Sequence, residues 1–244
     1  MAHTFPSIIK SGIYSQEECT RLLYNTITQK HPKKSFFKAL IAAGADINAI
    51  DEESNINPLI RATECANLTL MQQLVNEGAD IWLSNDAGIS GIHVASVMIS
   101  ARIFNFYAER GVDVNYYANG FSRTPIMFAA AYGIQQDISF LMERGADIEA
   151  KDMEQDSWRP LRIASHCENV NTVLSLLMHG ADTDAVCSFG RTALHSAVHD
   201  KNREIIRHLL DHDASVDIAD YEGDYPWDLA DESIRREFPE LYVF

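Results

Sequence analysis

Two pairs of histidines stand four residues apart, His195 with His199 and His208 with His212. On a helix that spacing puts both rings on one side, which suits a metal ion. The zinc-hydrolase pattern also needs Glu directly after the first His, and here residue 196 is Ser. His166 precedes Cys167, a base beside a nucleophile by residue type, but adjacent helical residues point apart. The chain has no Cys-x-x-Cys, no Gly-x-Ser-x-Gly and no glycine-rich phosphate loop. Its 35 Asp and Glu are numerous, yet nothing in their placement implies the burial that raises a carboxyl pKa for acid–base work. No catalytic residue, metal ligand or cofactor is assigned on these grounds, and the chain is not expected to be an enzyme.

The elements that would carry these residues repeat. Gly44-Ala45-Asp46, Gly78-Ala79-Asp80, Gly111-Val112-Asp113, Gly145-Ala146-Asp147 and Gly180-Ala181-Asp182 recur at steps of 33 to 35 residues, with a degenerate sixth copy at Asp213-Ala214-Ser215. A fixed period in this range predicts a solenoid of stacked units. A second phrase runs in phase about twenty residues earlier. Its copies begin at Asn57-Pro58-Leu59, Ser90-Gly91-Ile92, Thr124-Pro125-Ile126, Arg159-Pro160-Leu161, Thr192-Ala193-Leu194 and Tyr225-Pro226-Trp227, each ending in Ala three residues on. Pro at the first helical position costs little, and Thr, Ser or Asn before it can cap the helix. The Gly of the first phrase sits where a second helix must end with positive φ. Paired residues before that Gly, such as Leu74/Val75, Leu176/Leu177 and Leu209/Leu210, predict the buried faces of the second helices.

With both phrases in place, the chain resembles the ankyrin-repeat family over roughly residues 35 to 235. The resemblance implies an all-α ankyrin-repeat solenoid of stacked helix-turn-helix units with β-turn fingers, and a binding role. It also gives His195 a hydrogen-bonding place inside its repeat, which counts against metal binding there. The expected organisation is N-terminal capping helices and a first partial repeat over 1–50. Five repeats then follow at about 51–83, 84–116, 117–150, 151–185 and 186–219. A C-terminal capping repeat and tail take 220–244. Ser15 is expected to cap a helix over 15–29 with Cys19, Leu22, Leu23 and Ile27 inside. A short helix is expected over 231–238, with the apolar Leu241 to Phe244 packing back on the last repeat.

The repeat at 84–116 departs most from the pattern, with Ser90-Gly91 for Thr-Pro and Tyr107-Ala108 for an aliphatic pair. It is expected to be the softest joint. The finger from Asp152 to Trp158 is two residues longer than the others. The finger Gly found at Gly88, Gly190 and Gly223 is replaced by Asn55, Ser122 and Ser157.

Net charge is −15, unevenly spread: residues 1–40 carry six Lys/Arg against two Glu, and the rest is near −19. That balance argues against nucleic acid, which needs a basic footprint, and favours a basic protein partner. Scattered cysteines, the absence of an apolar run of membrane length and an N-terminus without a secretory pattern lead to a cytoplasmic expectation. The free chain is expected to be a monomer. The fingers carry many aromatic residues interleaved with acids, a composition suited to an interface. The expected partner-binding set is Glu53, Asp86, Tyr116, Tyr117, Phe121, Arg123, Tyr132, Asp152, Glu154, Asp156, Trp158, Phe189 and Tyr221, with Trp158 foremost. Met98, His166 and His199 could extend the surface. The expected function is to bind, and to inhibit or neutralise, a basic partner in the manner of an immunity or antitoxin protein. The alternative is an adaptor, or a secreted microbial effector that recruits a host protein in the host cytoplasm, with Lys30, Lys33, Lys34 and Lys38 as a second surface.

Overall fold

The computed structural model describes residues 14–27, 34–98, 100–118, 122–133, 138–153 and 156–242. The chain divides into two compact units, Met1–Val112 and Asp113–Phe244. Each is helical, and among the described residues the extended structure amounts to isolated bridges at the fingers.

The first unit holds α1 (Gln16–Ile27), α2 (Lys34–Ala42), α3 (Pro58–Glu64), α4 (Leu68–Asn76), α5 (Gly91–Ser96) and α6 (Ala101–Ala108). The second holds α7 (Pro125–Tyr132), α8 (Ser139–Met142), α9 (Pro160–His166), α10 (Val170–Met178), α11 (Ala193–His199), α12 (Arg203–Asp211), α13 (Glu232–Glu237) and a 3₁₀ turn, Pro239–Leu241. Helices pair as antiparallel hairpins. First helices stack on first helices (α1 on α3 on α5; α7 on α9 on α11), and second on second (α4 on α6; α10 on α12).

The repeat phrases account for this layout. Asn57 has an extended backbone and its side chain accepts from the Ile60 N–H at 2.9 Å, with Pro58 at the first helical position. Thr192 caps α11 in the same way, and the Thr192 N–H donates to Nδ1 of His195 at 3.1 Å. His195 Nε2 reaches the Asp224 carbonyl of the following finger at 3.2 Å. With Nδ1 accepting, the ring proton belongs on Nε2, so His195 is a neutral link between repeats. Burial lowers its pKa further, which favours that neutral form.

At the other end of each hairpin the Gly adopts positive φ, 95° at Gly44 and 100° at Gly78. The following N–H then closes on the helix, as from Ala79 to the Leu74 carbonyl at 2.9 Å. The Asp of each Gly-Ala-Asp folds a turn by accepting from the N–H two residues on, at 2.8 Å for Asp46 and Asn48. The polar residue at that second position then reaches the next loop. Asn48 accepts from Asp80 N–H, and within the second unit Asn115 accepts from Asp147 and Glu149 from Asp182, each at 2.8 Å. The repeated carboxylate is therefore a loop-building residue, a role the spacing alone did not assign.

The leading residue of each second-helix pair is wholly buried: Leu40, Leu74, Tyr107, Leu141, Leu176 and Leu209. Leu59, Ile92, Ile126, Leu161 and Leu194 of the first helices meet them in the core. Asn55, Ser122 and Ser157, standing where other fingers have Gly, take positive φ of 53°, 48° and 49°. Ser15 and Glu18 exchange capping bonds at the start of α1, and Cys19, Leu23 and Ile27 are buried while Leu22 is half-buried. Residues 28–29 of the expected helix lie outside the described residues. Asp231 caps α13, Leu241 is buried, and the Tyr242 ring lies 5.0 Å from that of Trp227.

In the repeat at 84–116 the two departures meet in one contact. A Cβ on Gly91 would stand 2.0 Å from the Tyr107 hydroxyl oxygen. Tyr107 therefore fills the space that a side chain at the helix start would occupy. Its hydroxyl meets that of Thr63 at 2.6 Å, and burial raises its pKa so that it stays neutral. Gly91 and Tyr107 are a matched pair: the space that one departure leaves, the other fills.

Candidate interaction surface

The expected binding residues fall into both units, and each unit presents its own surface. In the first, Glu53 and Asp86 are exposed on successive fingers. Glu53 borders an open groove of about 910 Å³ between α1 and the finger at 51–56. Glu17, Asp46, Asp51 and Glu52 line the same groove, with Arg21 and Arg61 as its cations. Arg61 is already committed to Glu64 at 2.8 Å. Hydrogen bonds from the Ser54 hydroxyl and N–H hold the Asp51 carboxyl below its usual pKa, so it stays charged. Sequence reading picked out Glu53 but not this groove, because α1 comes from outside the repeats.

In the second unit the fingers are joined edge to edge by backbone hydrogen bonds. Met153 N–H donates to the Ser122 carbonyl at 3.2 Å, Ser188 to Asp156 at 3.0 Å and Tyr221 to Phe189 at 3.0 Å. This row carries Met153, Phe189 and Tyr221 outward, 73%, 54% and 75% exposed. Tyr132 is 57% exposed at the end of α7, its ring 5.9 Å from that of Phe128. The Tyr221 ring lies on Gly190, where a Cβ would approach it to 2.6 Å. Met153 was missed because a lone Met in a charged loop gives no periodic signal.

Other expected residues have internal work. Asp152 is 4% exposed; its carboxylate accepts from the Trp158 N–H at 3.0 Å and its own N–H donates to the Trp158 carbonyl at 3.0 Å. It closes the long finger from inside and is withdrawn from the surface. Trp158 is half-buried, not presented at a fingertip. The Arg162 guanidinium lies over its ring at 4.1 Å, and the His166 ring meets it edge-on at 5.0 Å. It braces the finger against α9. Tyr117 is half-buried and donates to the Lys151 carbonyl at 3.2 Å. Burial, then the charges of Asp147 and Asp152, push its pKa up. Tyr116, Arg123 and Asp156 are half-buried, and the Arg123 carbonyl closes its finger on the Ala118 N–H at 2.9 Å. Phe121 and Glu154 lie outside the described residues, as do Lys30 and Lys33. Lys38 pairs with Glu77 at 3.0 Å.

The surface also contains groups that sequence reading did not join. Asp200 bridges His166 and His199, at 3.0 and 2.7 Å. Arg191 ties its finger to the next through Asp220 at 2.8 Å, where the carboxylate is 1% exposed. Burial opposes ionisation of Asp220, but Arg191 and the N–H groups of Asp224 and Glu222 outweigh it and hold the pKa low. The carboxylates of Asp220, Glu222 and Asp224 cluster within 4.8 Å, yet both oxygens of Asp220 are taken by these internal bonds.

The sequence matches a family model described as ankyrin repeats over residues 59–152 and 149–220. The chain belongs to the ankyrin-repeat family. A putative palmitoyltransferase ZDHHC13 of Danio rerio is 31% identical over 181 residues, 73% of this chain and 27% of that protein. A putative ankyrin repeat protein of Fowlpox virus, FPV031, is 32% identical over 147 residues, 58% of this chain and 43% of that one. A transient receptor potential channel A1 homolog of Caenorhabditis elegans is 24% identical over 81% of this chain and 16% of its own length. The chain thus spans less than half the length of these relatives. Among solved structures, the human ASB11 ankyrin repeat domain superposes with a TM-score of 0.73 at 24% identity, over 86% of this chain and 93% of that one. The ankyrin repeat domain of Bcl-3 gives 0.69 at 22%, over 98% and 99%. Ankyrin repeats are in general non-catalytic modules for protein–protein interaction. Among the described residues, no helix is long and apolar enough to cross a membrane.

Proposed function

We propose that this ankyrin-repeat chain binds a basic region of another protein through the finger row of its second unit and neutralises that protein by masking it. One observation carries the reading: Phe189 and Tyr221 are 54% and 75% exposed on adjacent fingers, in a chain of net charge −15. Exposed aromatic rings beside carboxylates, here Glu222 and Asp224, suit the apolar stems and cationic heads of Lys and Arg. The acidic groove of the first unit offers a second place for cationic side chains. Opposite charge raises the encounter rate and makes it salt-sensitive.

The test is capture of partners from lysate of the source organism at low and high salt, with Phe189→Ala/Tyr221→Ala as the control bait. A single basic protein, held at low salt, released at high salt and weakened about 30-fold by the double substitution, supports the reading. A partner that is acidic, or that ignores both salt and the substitutions, overturns it.

A further inference from the structure

Successive fingers are joined by a backbone N–H that reaches back to the finger before. In two of them the donor stands four residues ahead of the repeat phrase: Ser188 donates to the Asp156 carbonyl and Tyr221 to the Phe189 carbonyl, both at 3.0 Å. The same register serves in the first unit, where the Asp86 N–H reaches Asn55 Oδ1 at 3.5 Å. In the finger at 51–56 that register falls on Glu53. No finger precedes this one among the described residues, which begin at Tyr14 and enter α1 directly. The Glu53 N–H accordingly has no hydrogen-bond partner among them.

Glu53 lines the open groove of about 910 Å³ between α1 and this finger. Five carboxylates border the groove, those of Glu17, Asp46, Asp51, Glu52 and Glu53, against the guanidinium groups of Arg21 and Arg61, a formal excess of three negative charges. Arg61 is spent on Glu64. Glu17, Glu52 and Glu53 are exposed and form no ion pair with a described residue. Their oxygens do not converge as metal ligands would; among the described residues that arrangement occurs at Asp220, Glu222 and Asp224 instead.

These unmet groups call for one kind of guest. The N–H needs a carbonyl oxygen, and the carboxylates need cations set along a line. A polyamine supplies the second and not the first. A helix supplies cations but keeps its carbonyls in its own ladder. An extended chain supplies both, because its carbonyls point sideways and alternate side chains share one face. The stems of Lys or Arg can lie on Ala49 and Ile50 of the same groove.

We infer that the groove of the first unit takes an extended basic peptide segment, which stands in the place of a preceding finger and accepts the Glu53 N–H on a backbone carbonyl. Main-chain bonding sets the segment down, and Glu17, Glu52 and Glu53 select Lys and Arg along it. The inference shares with the function proposed above only the basic character of the partner, and it uses a different surface.

The experiment is titration of the isotope-labelled full chain with the peptide acetyl-Lys-Thr-Lys-Val-Lys-Thr-amide, followed by amide NMR and calorimetry, with spermidine as a probe of equal charge that has no carbonyl. The peptide is expected to bind saturably, to shift amides of α1 and of the finger at 51–56, and to protect the Glu53 amide from hydrogen exchange. Glu17→Gln/Glu52→Gln/Glu53→Gln, which changes exposed side chains alone, is expected to weaken binding about tenfold, and Arg21→Gln to strengthen it about threefold. Spermidine is expected to bind at least about tenfold more weakly than the peptide. Spermidine binding as well as the peptide overturns the backbone bond and with it the inference. Shifts confined to the fingers of the second unit overturn it too, as does affinity that ignores the triple substitution. Phe189→Ala/Tyr221→Ala is expected to leave peptide binding unchanged. Failure of the peptide with retained, substitution-sensitive capture of a basic protein from lysate overturns the groove alone, and the reverse result overturns the finger row alone.

Discussion

The repeats at 84–116 and 151–185 both break the family phrase, and they do so in opposite ways. In the first, Gly91 removes a side chain at the helix start and Tyr107 adds one on the second helix, so the gain fills the loss. The hydroxyl that comes with the larger ring finds Thr63. Volume balances inside the repeat, and the hydrogen bond is met by the repeat before it. In the second, Arg162 replaces a small neutral ring by a long cation, and Trp158 gives it a face to lie on but no acceptor. The departure is balanced for packing, while Nε and Nη1 of the guanidinium have no hydrogen-bond partner among the described residues. A repeat can therefore absorb an irregular residue when the compensation is steric and local. When the irregular residue is a cation, carboxylates of its own finger, Asp156 and Asp152, answer its charge, while two of its donors stay without a partner among the described residues.

The largest expected effect tests the first half of that contrast. Gly91→Ala drives a Cβ into the Tyr107 ring and is expected to cost about 3 kcal/mol by denaturant unfolding. Tyr107→Leu alone loses the bond to Thr63 and leaves a void, also a loss. The double substitution Gly91→Ala/Tyr107→Leu recreates an ordinary helix start and an ordinary core residue. Its cost is expected to fall short of the sum of the singles by about 1–3 kcal/mol. Additive costs would mean that the two departures are independent and that the matched pair is a coincidence of placement.

Trp158→Ala is next in size. A freely exposed fingertip residue would change binding and leave stability alone. The observed stack on Arg162 and His166 predicts a loss of about 2 kcal/mol in unfolding free energy, from buried ring area and the cation–π contact. An unchanged midpoint would return Trp158 to the binding surface and remove the packing half of the balance described for this repeat.

The period and both phrases made the helical hairpins, the buried leading residues of the second helices and the positive-φ turns legible in the sequence, because each follows from short-range spacing. Even Asn55, Ser122 and Ser157 were readable as glycine substitutes by register alone. The surface was less legible. Asp152 and Trp158 have the residue types of an interface, yet the finger that carries them folds over α9, and no local pattern says which side of a loop faces inward. The groove beside Glu53 depends on α1, which obeys no repeat. Gly91 with Tyr107 and Arg162 with Trp158 each read as faults in a pattern when taken singly. Their meaning lies in contacts across the unit, which spacing does not encode.

The smallest expected effect separates the long finger's backbone from its charge. Ser157 holds φ of 49°, a conformation that costs an L-residue about 1 kcal/mol and glycine almost nothing. Its counterparts Gly88, Gly190 and Gly223 show that the turn accepts glycine. Ser157→Gly is expected to raise stability by about 0.5–1 kcal/mol, less whatever the more flexible unfolded chain takes back. If the strain at Ser157 were needed to hold Trp158 over Arg162, relaxing it would loosen the stack, and the substitution would lower stability instead. A gain therefore places the irregularity of this repeat in the guanidinium whose Nε and Nη1 lack partners among the described residues, and a loss places it in the finger that covers it.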